Sequence, residues 1–159
     1  LEHIERFHVA LGTWFEPRGF EIRWMEHDPG DAQLAVSLGG TPVTLARVDH
    51  DATSIAMRFE LATGSVAYSG DSDDCEGLRA LCDGVDVAIL ECSTAAGHKV
   101  AGHLSPKEVA AIAAAAGVGR VVLVHTYPEV DGVDLAAQVA SFGYDGPVQV
   151  ATDASALWI

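Results

Sequence analysis

The sequence predicts a layered α/β fold, part of a four-layer αβ/βα sandwich of which this chain supplies mainly the C-terminal half. Three observations predict it. Short segments in which apolar and polar residues alternate fill the first third of the chain. After residue 71, apolar strands and helices follow each other in alternation. The apolar strands after residue 84 lack alternation, which indicates burial on both faces, between helices and another sheet.

The first third of the chain predicts a helix followed by a β-meander. Apolar residues within segment 1–15 are spaced to line one face of a helix. Ala62-Thr63-Gly64 is typical of a hairpin turn between two strands. Strands are expected over residues 20–25, 33–38, 43–48, 54–61 and 65–68.

The remainder predicts alternating helices and strands, and its best-defined element is a helix over residues 105–116. Ser105 is a favourable N-cap, Pro106 suits the first helical position, Glu108 completes a capping box and Gly117 ends the last turn. Further helices are expected over residues 74–82 and 134–142, and strands over 85–90, 121–124, 148–151 and 156–159.

The length of 159 residues suits one domain with a sizeable core. The chain begins at Leu1, without an initiator Met, inside the predicted N-terminal helix. We therefore expect residues 1–159 to form a single partial domain, truncated at the N-terminus.

Composition limits the expected partners. With 9 basic and 23 acidic residues the formal charge is −14, which argues against nucleic acid as a partner. A bound pair of divalent cations would reverse the electrostatic field locally, so phosphate esters stay open as substrates.

No stretch approaches the roughly 18 apolar residues of a membrane span. The three cysteines share no C-x-x-C spacing, which favours a reducing cytoplasm.

Four side chains stand where layered α/β folds gather their ligand-binding groups. His50, Asp71 and His125 directly follow predicted strands, and His103 precedes the predicted helix over 105–116. Three imidazoles and a carboxylate would suit a borderline cation such as zinc.

Each of these residues also has a purely structural interpretation. His50 could bond a neighbouring aspartate in a loop, Asp71 could cap a helix, His125 could be a satisfied core group and His103 a helix-entry residue. The other histidines lack a supporting context and are given no role: His3, His8, His27 and His98.

Four motifs in this order and spacing, from about residue 43 to the C-terminus, resemble the ribonuclease Z-like branch of the metallo-β-lactamase superfamily. The closing segment 148–153 also resembles the family's final strand, with Ala154 where a glycine is common. The motifs are Tyr68-Ser69-Gly70-Asp71-Ser72, Val87-Ala88-Ile89-Leu90-Glu91, His103-Leu104-Ser105-Pro106-Lys107-Glu108 and the segment Val121-Val122-Leu123-Val124-His125-Thr126-Tyr127-Pro128.

The resemblance implies a role for each matching residue. His50, Asp71 and His125 would be metal ligands, with Asp71 bridging two ions, and His103 would be the catalytic histidine that binds no metal. Glu91 would orient that histidine, the alternative being a solvent-facing glutamate at a strand end. The implied cofactor is Zn²⁺, two ions per complete domain, with Mn²⁺ or iron as alternatives.

One departure from the family is large, because its His-x-His-x-Asp-His motif, which supplies four further ligands, is absent from this sequence. Either the motif was lost, leaving a degenerate enzyme, or it lies upstream of Leu1. The start inside a predicted helix and the intact downstream residues favour the second explanation.

The resemblance implies a hydrolase that cleaves a phosphodiester or related small ester with a hydroxide held by two metals. His103 favours phosphodiesters over β-lactams, and this chain alone is expected to be inactive. A small-molecule substrate is expected, and a homodimer is left open. The alternatives are a non-catalytic or degenerate half-domain that pairs with another chain, and a lactonase or thioesterase on the same metal centre.

Overall fold

A computed structural model describes residues 25–30, 33–156 and 158–159, together with positions 6, 9, 10, 12, 19 and 21. The predicted helix over 1–15 and strand over 20–25 fall mostly outside these residues. Residues 33–156 hold seven strands in one sheet, three α-helices and a short 3-10 helix. The strands are β1 Leu34–Leu38, β2 Thr41–Arg47, β3 Ile55–Leu61, β4 Gly64–Tyr68, β5 Val87–Glu91, β6 Arg120–Val124 and β7 Val148–Val150. The helices are α1 Glu76–Cys82, α2 Pro106–Ala116 and α3 Leu135–Ser141, and the 3-10 helix is Pro128–Val130.

The seven strands lie side by side in chain order. Strands β1 to β4 pair antiparallel, and β4 to β7 pair parallel. Parallel neighbours need crossover connections, which α1, α2 and α3 provide. Since β2 and β4 are both antiparallel to β3, the chain leaves β2, β4, β5 and β6 at the same edge of the sheet, here called the carboxyl edge.

The main core lies between the sheet and the helices. Ala88, Leu90 and Leu123 from the sheet join Leu81 of α1 and Ile112 of α2 in one buried cluster. The opposite face of β5 and β6 is buried as well, as the missing alternation predicts, since Val87 and Val122 are 3% and 0% exposed. Within residues 33–156 there is one sheet, and the second sheet of the predicted sandwich is not among them.

The ends of α2 confirm the predicted cap. The Glu108 carboxylate accepts hydrogen bonds from the backbone N–H and the hydroxyl of Ser105, at 3.0 and 2.5 Å. Gly117 ends the helix with φ +63°, a left-handed conformation that favours glycine. This helix begins three residues after His103. The capped end of the helix therefore holds the segment that carries this histidine.

The predicted strand over residues 156–159 is wrong. Ala156, Trp158 and Ile159 are not in a strand. The backbone carbonyl of Trp158 instead accepts a hydrogen bond from the Arg120 side chain at 2.8 Å. Trp158 itself is 85% exposed, and Ile159 lies beside Gly64 at the start of β4. None of the described helices is long and apolar enough to cross a membrane.

Candidate active site

Five predicted site residues reach the carboxyl edge of the sheet. His50 comes after β2, Asp71 after β4 and His125 directly after β6, while Glu91 is the last residue of β5. His103 lies two residues before Ser105, the N-cap of α2. The chain directions of the four strands therefore bring together residues that are far apart in sequence.

His103 and Glu91 form a buried pair. The Nδ1 atom of His103 lies 2.9 Å from Oε1 of Glu91. Their side chains are 10% and 1% exposed, so water screens this contact little. Because the carboxylate accepts from Nδ1, the other ring nitrogen of His103, Nε2, is the one that faces outward.

Glu91 holds this position through further hydrogen bonds. Its carboxylate accepts from the backbone N–H of Ser72 and from the hydroxyl of Ser93, both at 2.8 Å. Its own N–H donates to the hydroxyl oxygen of Ser69. A buried charge needs such partners, and with them Glu91 is fully buried rather than solvent-facing.

Tyr127 contacts the outer nitrogen of His103, and this residue was missed in the sequence. Its hydroxyl lies 3.2 Å from Nε2 of His103. The signal was present, since Tyr127 is part of the His125-Thr126-Tyr127-Pro128 motif. Its ring is also edge-on to His125, with centroids 5.6 Å apart, so it borders both imidazoles.

His50 is held by the loop that carries His103. Its Nδ1–H donates to the carbonyl oxygen of Gly102 at 2.9 Å, and this bond raises the pKa of the His50 imidazole. The Nε2 atom is left as the nitrogen that can bind a metal, the arrangement in which ligating histidines are usually fixed. A side chain at Gly102 would crowd His50 and would also meet φ +81°.

Asp71 and His125 lie side by side at the opening of the site. The Oδ2 atom of Asp71 is 3.7 Å from Nε2 of His125, and the two side chains are 44% and 39% exposed. His125 has φ +52°, a left-handed conformation that costs a non-glycine residue about 1–2 kcal/mol. Strain of this kind is typical of functional positions.

The ring of His103 lies between those of His50 and His125, with centroid distances of 4.8 and 5.4 Å. Across residues 33–156 no three His, Cys, Asp or Glu side chains converge closely enough to hold one ion. The donor types of His50, Asp71 and His125 nevertheless fit part of a zinc, manganese or iron site.

The cysteines do not add to this donor set. All three are free, and burial raises the pKa of the Cys82 and Cys92 thiols to about 12. A thiol with such a pKa stays protonated at neutral pH and is a poor metal ligand.

An ion pair ties the loop of His103 to the loop of Asp71. Lys99 Nζ lies 2.5 Å from Oδ1 of Asp73 and also donates to the carbonyl oxygen of His103. Oδ2 of Asp73 accepts from the Gly102 N–H at 3.2 Å. Burial acts to raise the pKa of the Asp73 carboxyl, but the hydrogen bonds from Lys99 and the Asp74 N–H lower it overall. Asp73 thereby fixes the segment that positions both His50 and His103.

Comparison with known proteins identifies the family. The model of the beta-lactamase superfamily domain matches residues 2–126. The chain belongs to the beta-lactamase superfamily. A protein of Mycobacterium tuberculosis that is described as uncharacterized is 33% identical over 151 residues, covering 87% of this chain and 53% of that protein. Ribonuclease BN of Salmonella paratyphi B is 36% identical over 101 residues, which are 61% of this chain and 33% of that protein.

A solved structure supports the fold of this beta-lactamase superfamily chain. The metallo-beta-lactamase fold protein YhfI from Bacillus subtilis aligns with a TM-score of 0.69 and 26% identity, covering 75% of this chain and 50% of YhfI. The predicted metallo-β-lactamase fold is thereby confirmed. The chain spans about half the length of the mycobacterial relatives it matches.

Proposed function

We propose that the chain forms the acid–base part, and some of the metal ligands, of a metal-dependent hydrolase that cleaves a phosphodiester or related small ester. The observation that carries this proposal is the buried pair of Glu91 and His103, whose outer nitrogen faces the opening beside Asp71 and His125. An imidazole held this way is suited to move a proton at a fixed point.

His50, Asp71 and His125 would hold the metal, with Asp71 shared between two ions. Three donors are too few for two ions, so we propose that further ligands come from elsewhere in the complete gene product. Zinc is the proposed metal, and Mn²⁺ or iron would accept the same imidazole and carboxylate donors. When bound, the ions would activate water and stabilise the negative charge that develops on the substrate.

The chain's own residues would handle the leaving group. Nε2 of His103 would carry the proton that the leaving oxygen takes up, and Glu91 would stabilise the charged imidazole through Nδ1. The Tyr127 hydroxyl, 3.2 Å from Nε2, would align the imidazole with that oxygen.

Charge and similarity together point to a small diester. Ribonuclease BN, 36% identical over the aligned segment, is by its name an enzyme of RNA cleavage, which supports phosphodiester chemistry. The formal charge of −14 opposes binding of a long polyanion such as RNA. A small phosphodiester satisfies both observations.

His103→Ala in the complete gene product tests the proposal. Hydrolysis of bis(p-nitrophenyl) phosphate should slow by about 10²–10⁴ in kcat, because the proton donor is gone. His27→Ala, an exposed histidine outside the site, is the matched control and should keep the wild-type rate. A His103→Ala variant with an unchanged rate would refute the role of His103. Hydrolysis of a lactone or thioester in place of the diester would refute the substrate class.

A further inference from the structure

Both ring nitrogens of His103 already have hydrogen-bond partners. Nδ1 lies 2.9 Å from the Glu91 carboxylate, and Nε2 lies 3.2 Å from the Tyr127 hydroxyl. Each nitrogen of an imidazole offers a single site in the plane of the ring, which holds either a proton or a lone pair. The Tyr127 hydroxyl therefore stands at the site from which His103 would deliver its proton.

Tyr127 offers a substrate more surface than His103 does. Its side chain is half-buried, whereas His103 is buried. Tyr127 also lines a cavity of about 720 Å³, which His103 does not line. A cavity of this volume lies in the usual range of small-molecule sites. Of the two residues, Tyr127 is thus the one that a bound substrate reaches first.

Main-chain hydrogen bonds hold Tyr127 in this place. Its N–H donates to the carbonyl oxygen of Ser93 at 3.0 Å, and the Ser93 hydroxyl donates to Glu91 at 2.8 Å. Its own carbonyl oxygen accepts from the N–H of Val130, in the 3-10 helix that begins at Pro128. The segment that holds Glu91 therefore also holds Tyr127, so that both partners of His103 are fixed together.

A hydroxyl in this position can take one proton while it gives up another. Because Nδ1–H donates to Glu91, Nε2 of a neutral His103 accepts from the Tyr127 hydroxyl, and Nε2–H of a charged His103 donates to it. In the charged state the hydroxyl hydrogen is available to another oxygen. A phenol holds its proton more tightly than an imidazolium does, so the hydroxyl gives its proton up only as it takes the one from Nε2.

We propose that Tyr127 is a catalytic residue that relays the proton of His103 to the leaving oxygen of the substrate. This inference rests on the proposed hydrolase function and adds the group that touches that oxygen. The bond from phosphorus to the leaving oxygen breaks, and its electron pair stays on that oxygen. The leaving oxygen takes the hydroxyl proton of Tyr127, whose oxygen takes the proton from Nε2 of His103. Water supplies the oxygen that phosphorus gains, and the proton lost by that water recharges His103.

Tyr127→Phe in the complete gene product tests the relay, because it keeps the ring and removes the hydroxyl. The kcat on bis(p-nitrophenyl) phosphate should fall by about 10²-fold, the lower end of the range for general acid catalysis, since water can take the place of the hydroxyl. A rate within twofold of wild type would overturn the relay. A faster rate would overturn it too, and would show that the hydroxyl only blocks Nε2.

Tyr144→Phe is the matched control for the loss of a hydroxyl. The Tyr144 hydroxyl donates to the carbonyl oxygen of Val118, two residues before β6 and at the opposite end of this strand from His125. This variant should keep the wild-type kcat. An equal fall in kcat in Tyr144→Phe and Tyr127→Phe would show a general effect on folding and would overturn the assignment of the relay to Tyr127.

Nuclear magnetic resonance of ¹⁵N-labelled histidine separates a relay from a positioning role. The Nδ1–H resonance of His103, assigned by its absence in His103→Ala, reports the hydrogen bond to Glu91. If Tyr127 relays the proton, this resonance should persist in Tyr127→Phe while kcat falls. Loss of the resonance together with the fall in kcat would show that Tyr127 only positions the imidazole, and would overturn the relay.

The two proposals can fail separately. If His103→Ala loses its rate on bis(p-nitrophenyl) phosphate while Tyr127→Phe keeps it, only the relay fails. If neither variant loses its rate, the role of His103 in the proposed hydrolase fails as well.

Discussion

The carboxylate of Glu91 accepts hydrogen bonds from three segments of the chain. They come from Ser72 in the loop after β4, from Ser93 just beyond β5, and from His103 at the entry to α2. The buried Glu91 carboxylate thus determines where these three segments at the carboxyl edge lie relative to each other. The full burial of Glu91 makes these bonds hard to replace with water.

Glu91→Gln should lower kcat by about 10–100-fold, in the range seen when a partner that orients an active-site histidine is replaced. The glutamine amide has nearly the same shape as the carboxylate but offers only one acceptor oxygen. In the wild type, Ser72 donates to one carboxylate oxygen and Ser93 to the other. The measurement is kcat and KM of the complete gene product on bis(p-nitrophenyl) phosphate. Ser93→Ala, which removes only the donor to Oε2, is the control and should cost much less. A Gln variant within twofold of wild type would show that Glu91 does not orient His103.

At the residue scale, the sequence predicted one contact of the candidate site and missed two others. The motif resemblance placed Glu91 near His103, and the two are in contact. The contact of Tyr127 with His103 depends on how the segment after β6 folds back, which no local pattern encodes. The ion pair of Lys99 and Asp73 likewise joins two loops that are distant in sequence.

At the element scale, helix α1 packs directly on the end of β2 through Gly77. A Cβ atom at this position would overlap the backbone carbonyl oxygen of Arg47. Arg47 is the last residue of β2 and lies three residues before His50. The close approach of α1 to β2 therefore supports the strand that leads into the site.

Gly77→Ala tests this contact because two effects oppose each other. Helix propensity alone favours Ala over Gly by about 0.8–1 kcal/mol. The overlap with Arg47 should outweigh this gain and lower the free energy of unfolding by about 1–3 kcal/mol. Urea denaturation measures the difference. Ala114→Gly on the exposed face of α2 is the control and should cost about 1 kcal/mol by propensity alone. A more stable Gly77→Ala protein would contradict the packing of α1 on β2.

The elements that sequence predicts well are those with local signals. The capping box and terminal glycine of α2 and the turn between β3 and β4 depend on neighbouring residues, and both are confirmed. The segment 156–159 had only an apolar composition to support a strand. Because a strand also needs backbone hydrogen bonds to a neighbouring strand, composition alone was not sufficient there.

At the scale of the whole molecule, strand direction creates the site. His50 and His125 share an edge because β2 and β6 run the same way in one sheet. Sequence order could suggest this convergence only through the family resemblance, since pairing between distant strands leaves no trace in periodicity. The chain carries a formal charge of −14, and the proposed metal ions would be the main positive charges of its site.

The proposed site divides two roles between two residues: Asp71 would hold metal and His103 would move a proton. The most direct test is the metal content of the complete gene product, measured by elemental analysis for wild type, Asp71→Ala and His103→Ala. Removing a bridging ligand should release most of the bound metal, whereas removing a proton donor should leave the metal content at the wild-type level. A His103→Ala protein that loses as much metal as Asp71→Ala would contradict this division of roles.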